Sequence, residues 1–397
     1  MDDFSIPGIR LGVAQAGIKY EGRDDLTLIE IAEGSHTAAV FTQNAFRAAP
    51  VVVAERHVAS QDARYLLINS GNANAGTGQA GMDVCERSCV AVATQTSAQA
   101  SHVLPFSTGV IGEVLPIAKI EAVLPNAVGD LTATNWNRAS RAIMTTDTRP
   151  KLRRCAVDFK GQSCEIVGMS KGSGMIQPNM ATMLGFIATD AYIPGALLDT
   201  MLRCAVNASF NRITVDGDTS TNDAVTLTAT GQSDFRISTL SSNEAIAFQS
   251  ALTELATALA QDIVRDGEGA TKFVEITVLG AASEVEADQV ARTVAHSPLV
   301  KTALFASDPN WGRILAAVGR AGVEALDVEA VSLVINDVLI AEKGARAPSY
   351  TEEAGQAAMA PDDLVITIDL ARGDAGVTLW TTDFSYDYVK INAEYRT

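Results

Sequence analysis

The chain has 397 residues, of which 47% are hydrophobic, and a formal net charge of -17 at pH 7. This length and composition are typical of a folded globular protein with a sizeable core, in two domains or one large layered unit. The acidic balance argues against non-specific nucleic-acid binding and against an anionic membrane surface, because both would be repelled over most of the molecule.

The cysteines and the N-terminus indicate a soluble cytoplasmic protein. The cysteines form an odd set without metal-ligand spacing, so we expect reduced and mostly buried thiols. The first residues contain no basic stretch followed by an apolar one, and no apolar run reaches membrane-spanning length. We therefore expect neither a secretion signal nor a membrane anchor.

Short strands and helices alternate in the first half of the chain. Apolar and polar patterns predict strands at 26–32, 37–42, 65–69, 102–104, 155–159 and 163–167. Helices are expected at about 79–95, 116–123 and 137–143. Turns are predicted at 33–35 and at Lys160–Gln162, and the second of these joins a strand pair that leads into the Gly-rich segment from Lys171.

The second half carries the strongest helix signal, at 241–265, with a capping box formed by Ser241 and Glu244. Other helices are predicted from Pro194 to about Ala208, at 283–296, and at 310–322 with Asp308 as N-cap. Strands are predicted at 212–215, 273–278, 302–306, 330–341 as a hairpin, 364–370 and 377–380. Hairpins mixed with amphipathic helices predict a layered α+β fold with mixed and antiparallel sheets.

Gly168–Gly172 matches the G-x-S-x-G pattern of a serine nucleophile on a sharp turn, with Ser170 as the nucleophile. A predicted strand precedes it, as that turn requires. The helix that should follow is interrupted by Gly172, Gly174 and Pro178, and the only later histidine is His296. The segment therefore fits a serine hydrolase poorly.

Other short motifs fail on spacing. The lysine of Lys171–Gly174 precedes the glycines, whereas a phosphate-binding P-loop places it after them. The acidic run from Asp216 carries Thr221 and Leu227 where a calcium loop needs glycine and glutamate. Scattered histidines and unclustered cysteines offer no zinc site, so no metal is expected.

One hydroxyl in the Gly-rich segment has a chemical role that needs no histidine. If the chain is cut before Thr182, the new α-amino group, with an unperturbed pKa of roughly 7.7 to 8, is a suitable general base for its own side chain. The small Ala181 would let the Thr182 hydroxyl reach the preceding carbonyl carbon. From spacing alone, a threonine beside alanine, methionine and leucine is more often a residue of a core strand.

Residues 171–184 closely resemble the self-cleavage segment of the bifunctional ornithine acetyltransferase/glutamate N-acetyltransferase family of arginine biosynthesis. The resemblance covers essentially the whole chain, with similar segments in family order at 68–75, 107–112, 145–148, 211–223, 266–272, 307–313 and 392–397. It implies an α/β/β/α-type sandwich of a self-cleaved, Ntn-like enzyme. Cleavage between Ala181 and Thr182 would leave an α chain (1–181) and a β chain (182–397), which stay associated as an α2β2 heterotetramer.

The resemblance also implies the chemistry. Thr182 would carry the acetyl group in a ping-pong transfer from N2-acetyl-L-ornithine to L-glutamate, with acetyl-CoA as a further donor and no bound cofactor. Thr108 and Gly109 would form the oxyanion hole, where each well-placed donor is worth about 3 to 4 kcal/mol. The implied substrate-binding residues are Thr145, Lys171, Thr182, Glu268, Asn392 and Thr397. Lys171 suits a substrate carboxylate and Glu268 a substrate ammonium.

Two other hypotheses remain open at this point. A self-cleaved N-terminal threonine also serves hydrolysis, as in an amidohydrolase or aminopeptidase. From another class, the Gly-rich segment could be the binding loop of a non-catalytic amino-acid-binding protein. The ratio of transfer to hydrolysis separates the first from the transferase, and an unprocessed chain that binds without turnover would favour the second.

Overall fold

The computed structural model describes residues 4–177 and 183–394. The chain forms two compact units: unit 1 comprises Met1–Asn211 and Asp218–Ile263, and unit 2 comprises Arg212–Gly217 and Val264–Thr397. The predicted α and β chains are separated by a cleavage site and not by these domain boundaries. That division stays a prediction.

Unit 1 contains two sheets. Its strands are β1 Ile9–Ala14, β2 Leu26–Ile31, β3 His36–Phe41, β4 Tyr65–Asn72, β5 Val103–Val110, β6 Lys151–Phe159, β7 Gln162–Lys171, β8 Leu184–Thr189 and β9 Ala224–Ala229. Its helices are α1 Ala49–Ser60, α2 Gly78–Thr96, α3 Ile117–Gly129, α4 Trp136–Ala142, α5 Gly195–Ala208 and α6 Asn243–Arg265. Sheet A has the strand order β1-β2-β4-β5, and sheet B has the order β3-β9-β8-β7-β6.

The layers of unit 1 follow from which faces are apolar. Leu66, Ile68 and Phe106 of sheet A pack with Met169 and Phe186 of sheet B in one buried cluster. The opposite face of sheet A packs against α1, α2 and α3. On the outer face of sheet B, α6 lies against β7, and its Leu255 and Leu259 leave room for no side chain at Gly168. Helix α5 packs on β3 and β9. The α/β/β/α layering is therefore confirmed.

Sheet B positions the segment that follows the Gly-rich loop. β6 and β7 pair antiparallel through a turn at Lys160 and Gly161, whose positive φ values of 50° and 82° are those of a type I′ turn. β8 is flanked by β7, antiparallel, and by β9, parallel. The first residues of β8 are therefore held by neighbouring strands on both sides. β8 and β9 were not predicted, since strands buried on both faces lack alternation.

Unit 2 contains the third sheet, with the strand order β13-β12-β11-β14-β10-β15. Its strands are β10 Phe273–Ala281, β11 Ser332–Ile335, β12 Val338–Glu342, β13 Ala345–Arg346, β14 Asp363–Asp369 and β15 Ala375–Thr382. Its helices are α7 Glu284–Ala295, α8 Pro298–Phe305, α9 Trp311–Gly319, α10 Glu352–Met359 and α11 Tyr386–Ala393. The β11/β12 hairpin is confirmed, whereas β14 and β15 are separated by β10 and do not pair.

Several predicted elements are wrong. The predicted strand at 302–306 is part of helix α8, because Ser297 caps the helix and Pro298 opens it. The N-cap of α9 is Asn310 and not Asp308. At α6 the hydroxyl of Ser242, not Ser241, accepts from the backbone N–H of Ala245.

One further strand prediction fails, and one pair of predicted strands is divided between two sheets. Residues 212–215 form only an isolated bridge between Ile213 and Trp380. The predicted turn at 33–35 joins two strands of different sheets, because β2 pairs with β1 and β4, while β3 pairs with β9.

The cysteines are free thiols, and Cys85, Cys89 and Cys164 are buried, as expected. Burial raises the pKa of Cys89 and of Cys164 to about 12, so neither is a nucleophile near neutral pH. Among residues 4–177 and 183–394, no helix is long and apolar enough to cross a membrane.

Candidate active site

The predicted nucleophile Thr182, its neighbour Ala181 and the C-terminal Thr397 lie outside the described residues. The structure does describe Met183, which precedes β8 and whose carbonyl accepts from the backbone N–H of Ala224 at 3.0 Å. Leu184, two residues after Thr182 in the sequence, pairs with Lys171 across β7 and β8. Lys171 therefore lies beside the first residue of the strand that Thr182 precedes.

Lys171 brings two further predicted residues together. Its Nζ donates to the hydroxyl of Thr145 at 2.8 Å and to the hydroxyl of Thr108 at 3.0 Å. Thr108 belongs to β5 of sheet A and Lys171 to β7 of sheet B, so the ammonium group bridges the two sheets. Lys171 is only 8% exposed, which is unusual for lysine and indicates a site and not a surface charge.

A buried carboxylate, Asp147, compensates the charge of Lys171. Its Oδ1 accepts from Lys151 Nζ at 2.6 Å and from the backbone N–H of Gly172 at 2.7 Å, and its Oδ2 lies 4.0 Å from Lys171 Nζ. Burial by itself raises the pKa of Asp147. The charges of Lys171 and Lys151, with these hydrogen bonds, outweigh burial and hold that pKa at about 2. Asp147 is therefore ionised at neutral pH.

Gly109 occupies a position in β5 that only glycine fits. Its φ is 135°, and a Cβ there would lie 2.2 Å from the carbonyl carbon of Gly71 and 2.5 Å from the nitrogen of Asn72. The β4/β5 register shifts between Gly71 and Asn72. The end of β5 thus departs from regular pairing where Thr108 and Gly109 are predicted to bind an oxyanion.

In unit 2, Glu268 and Asn392 are in contact. Asn392 Nδ2 donates to Glu268 Oε2 at 2.8 Å and to the carbonyl of Tyr388 at 3.0 Å. Glu268 lies in the turn before β10, and Ser385, the N-cap of α11, donates its hydroxyl proton to Gly269 O at 2.6 Å. Helix α11 is therefore held against the Glu268 turn through Asn392 and Ser385, and the assignment of Thr397 stays a prediction.

The serine-hydrolase alternative is contradicted. Ser170 lies within strand β7 and not at a strand-to-helix turn, it is fully buried, and its hydroxyl has no hydrogen-bond partner. The described histidine, cysteine, aspartate and glutamate side chains form no group of three or more that could hold a metal ion.

Sequence reasoning missed three polar residues next to the site. Asp147 was quoted only as part of the 145–148 segment, although an aspartate two residues after Thr145 can accept from the Thr145 N–H, as it does at 3.0 Å. Asn222 and Asp223 lie in the acidic run that fails as a calcium loop and in the resembling segment 211–223, but the sequence predicts neither as a site residue. Burial raises the pKa of Asp223 well above its ordinary value, against the opposing effects of Ser220 and Lys171.

Comparisons with known proteins agree on one family. A model of the ArgJ family matches residues 10–397. "Arginine biosynthesis bifunctional protein ArgJ" of Methylococcus capsulatus is 56% identical over 392 residues, which cover 99% of this chain and 96% of that protein. The protein of the same name from Pseudomonas syringae pv. tomato is 53% identical over 395 residues, covering 99% and 97%.

A crystal structure of arginine biosynthesis bifunctional protein argJ from Bacillus halodurans is 39% identical, and the match covers 51% of this chain and 95% of that chain with a TM-score of 0.49. The family model and the two bacterial relatives extend over nearly the whole chain. The chain therefore belongs to the ArgJ family and is an acetyltransferase of arginine biosynthesis.

Proposed function

We propose that this enzyme cleaves itself between Ala181 and Thr182 and then moves the acetyl group of N2-acetyl-L-ornithine to L-glutamate through an acetyl ester on Thr182. The observation that carries the proposal is the pair of hydrogen bonds from Lys171 to Thr108 and Thr145, at the start of the strand that Thr182 precedes. The proposed substrates are small amino acids.

Self-cleavage creates the nucleophile and its base together. The Thr182 hydroxyl oxygen attacks the carbonyl carbon of Ala181, and the peptide C–N bond breaks to leave an ester and the free α-amino group of Thr182. Water then hydrolyses the ester, which releases the Ala181 carboxylate and restores the hydroxyl. The new α-amino group of Thr182, whose ordinary pKa is near neutrality, then serves as general base for the Thr182 hydroxyl.

Acetyl transfer repeats the same chemistry on the substrate. The Thr182 oxygen gives its proton to the α-amino group and attacks the acetyl carbon, and the resulting oxyanion is held by the Thr108 hydroxyl and the Gly109 N–H. The bond to the ornithine α-nitrogen breaks as that nitrogen takes the proton. Glutamate then attacks the ester with its amino group, which gives N-acetylglutamate and frees Thr182.

Lys171 explains why the Thr108 hydroxyl would act as a donor. The Thr108 oxygen already accepts a hydrogen bond from the ammonium group at 3.0 Å, so its own proton points elsewhere. The adjacent positive charge makes that proton a stronger donor to an oxyanion. In this role Lys171 acts through Thr108, in addition to pairing with a substrate carboxylate.

Glu268 is the proposed partner of the amino-acid ammonium. Glu268 is 8% exposed and is held by Asn392, so its carboxylate is fixed in place and one of its oxygens is already engaged. We further propose acetyl-CoA as a second acetyl donor, a cytoplasmic location and an α2β2 assembly. The word "bifunctional" in the relatives' names agrees with two donors.

Intact mass and N-terminal sequencing of the purified enzyme test the proposal. A fragment that begins with Thr182-Met183-Leu184 is expected, and Thr182→Ala is expected to remain full length and inactive. A full-length wild-type chain together with an active Thr182→Ala variant would refute it. Release of free acetate faster than acetylglutamate would favour the hydrolase alternative.

A further inference from the structure

We infer that Asn222 is a positioning residue of the acetyl-transfer site, which fixes the peptide group in front of Thr108. The inference rests on the proposed oxyanion role of Thr108 and Gly109. Asn222 is 7% exposed, and its side-chain Nδ2 donates to Ser107 O at 2.9 Å and to Ala73 O at 2.6 Å. The carbonyl of Ser107 belongs to the same planar peptide group as the N–H of Thr108.

The orientation of the Asn222 amide is determined by its surroundings. Its Oδ1 accepts from the hydroxyl of Thr221 at 2.6 Å, and both protons of its NH2 group meet carbonyl oxygens. A flipped amide would place its oxygen against two carbonyl oxygens, so only one orientation satisfies the network. A buried amide with all these bonds made is rigid and holds the groups that it contacts.

The two acceptors of Asn222 lie at the irregular end of sheet A. Ala73 directly follows β4, and Ser107 precedes Thr108 in β5. Ser107 and Thr108 still pair in register with Asn69 and Ser70, and the register shifts just beyond, between Gly71 and Asn72, where Gly109 has a φ of 135°. The Asn222 amide therefore holds the last regular part of β5 directly before this irregularity.

The same short segment also contacts the strand of the proposed nucleophile. Ala224, two residues after Asn222, donates its N–H to the carbonyl of Met183 at 3.0 Å, and Met183 directly follows Thr182 in the sequence. Residues 222–224 thus connect the proposed oxyanion strand β5 with the start of β8. A displacement of about 1 Å between reacting groups can cost roughly a hundredfold in rate, so this connection has a direct kinetic consequence.

A double-mutant cycle tests the inference on the processed enzyme. Asn222→Ala and Thr108→Val are each expected to lower kcat/KM for acetylornithine, by roughly 10- to 100-fold for the first. Combined, they are expected to lose clearly less than the product of the single effects, because Asn222 acts through Thr108. Intact mass gives the processed fraction, and the rates are normalised to it.

Asn135→Ala is the matched control. Asn135 also donates from Nδ2 to two backbone carbonyls, those of Leu11 and Asp130, at 3.0 Å each, but it contacts no residue of the proposed site. We expect it to lower the Tm without lowering kcat/KM. If Asn222→Ala does not fold, Thr221→Val removes only the bond to Oδ1, and a smaller loss of the same kinetic constant is expected.

The outcomes separate the inference from the proposed function. A wild-type rate for Thr108→Val would refute the oxyanion role itself. If Asn222→Ala lowers kcat/KM as strongly in the Thr108→Val background as in the wild type, the positioning role is overturned and the oxyanion role is left intact. Loss of stability without loss of kcat/KM in Asn222→Ala, as in the Asn135 control, would also overturn it.

Discussion

The Nζ of Lys151 lies 2.6 Å from Oδ1 of Asp147, and both side chains are almost completely buried. The same carboxylate faces Lys171 at 4.0 Å, so it interacts with two buried ammonium groups. Burying an uncompensated charge is strongly unfavourable. Asp147 therefore stabilises the fold and the site at once.

Asp147→Asn is expected to destabilise the enzyme by about 3–5 kcal/mol, because it removes the buried carboxylate that pairs with Lys151 and faces Lys171. Asp262→Asn is the control, since the Arg153–Asp262 ion pair is largely exposed on its arginine side and such pairs are worth about 0–1 kcal/mol. Urea unfolding measures both. Equal effects of the two substitutions would contradict the assigned role of Asp147.

The stabilisation by Asp147 also has a defined pH dependence. Its pKa in the folded enzyme is about 2, below the ordinary value of 3.8, so its contribution is complete above pH 4 and is lost as the pH falls toward 2. The difference in unfolding free energy between the wild type and Asp147→Asn is therefore expected to shrink over that interval. A difference that stays constant from pH 5 to pH 2 would exclude this linkage.

Gly109→Ala is expected to be far more damaging than Gly112→Ala. Both glycines have positive φ, 135° and 87°, so both substitutions carry backbone strain of about 1–3 kcal/mol. Only at position 109 would the new Cβ meet backbone atoms, at 2.2 Å, whereas position 112 has no atom within 4 Å. We expect loss of folded protein or of transfer activity for Gly109→Ala only. Comparable soluble yield and activity in the two variants would contradict the close approach of β5 to Gly71.

Local signals allowed the prediction of elements but not of their partners. The Lys160–Gly161 turn was predicted because the strands that it joins are neighbours in sequence. The separation of β2 and β3 into two sheets and the insertion of β10 between β14 and β15 depend on non-local packing. Periodicity does not report such pairings.

The site residues, too, could not be identified from local signals. Lys171 taken alone is typical of a surface charge, and only the family resemblance assigns it to the site. In the structure Lys171 is buried and contacts Thr108 and Thr145, two other predicted residues. Asn222 lies more than 100 residues from Ser107 in sequence, so no local pattern could connect them.

Glu268→Gln is expected to raise the KM for acetylornithine, whose side-chain ammonium is free, by roughly 10- to 100-fold, because a hydrogen bond to a charged group is worth about 1.5–3 kcal/mol. Asn392→Ala is expected to act in the same direction but more weakly, since it releases one oxygen of Glu268 and keeps the charge. Lys390→Ala on the same helix is the control, because its side chain is exposed. Steady-state kinetics with each substrate distinguish these cases. An unchanged KM for acetylornithine in Glu268→Gln would exclude the ammonium-binding role.

Lys301 gives unit 2 a stability that should increase with pH. Its Nζ is buried and donates to Thr381 Oγ1 at 3.1 Å. Burial lowers its pKa to about 7, against the opposing charges of Asp383 and Asp216. Above pH 7 the folded enzyme releases this proton while the unfolded chain keeps it up to about pH 10.5, so the unfolding free energy rises across that interval. The Tm difference between the wild type and Lys301→Met is expected to change in favour of the wild type by at least about 2 °C from pH 6.5 to pH 9.5. Lys390→Met, at an exposed lysine, is expected to show no such gain, and a Lys301→Met variant whose Tm follows the wild type at every pH would contradict the shifted pKa.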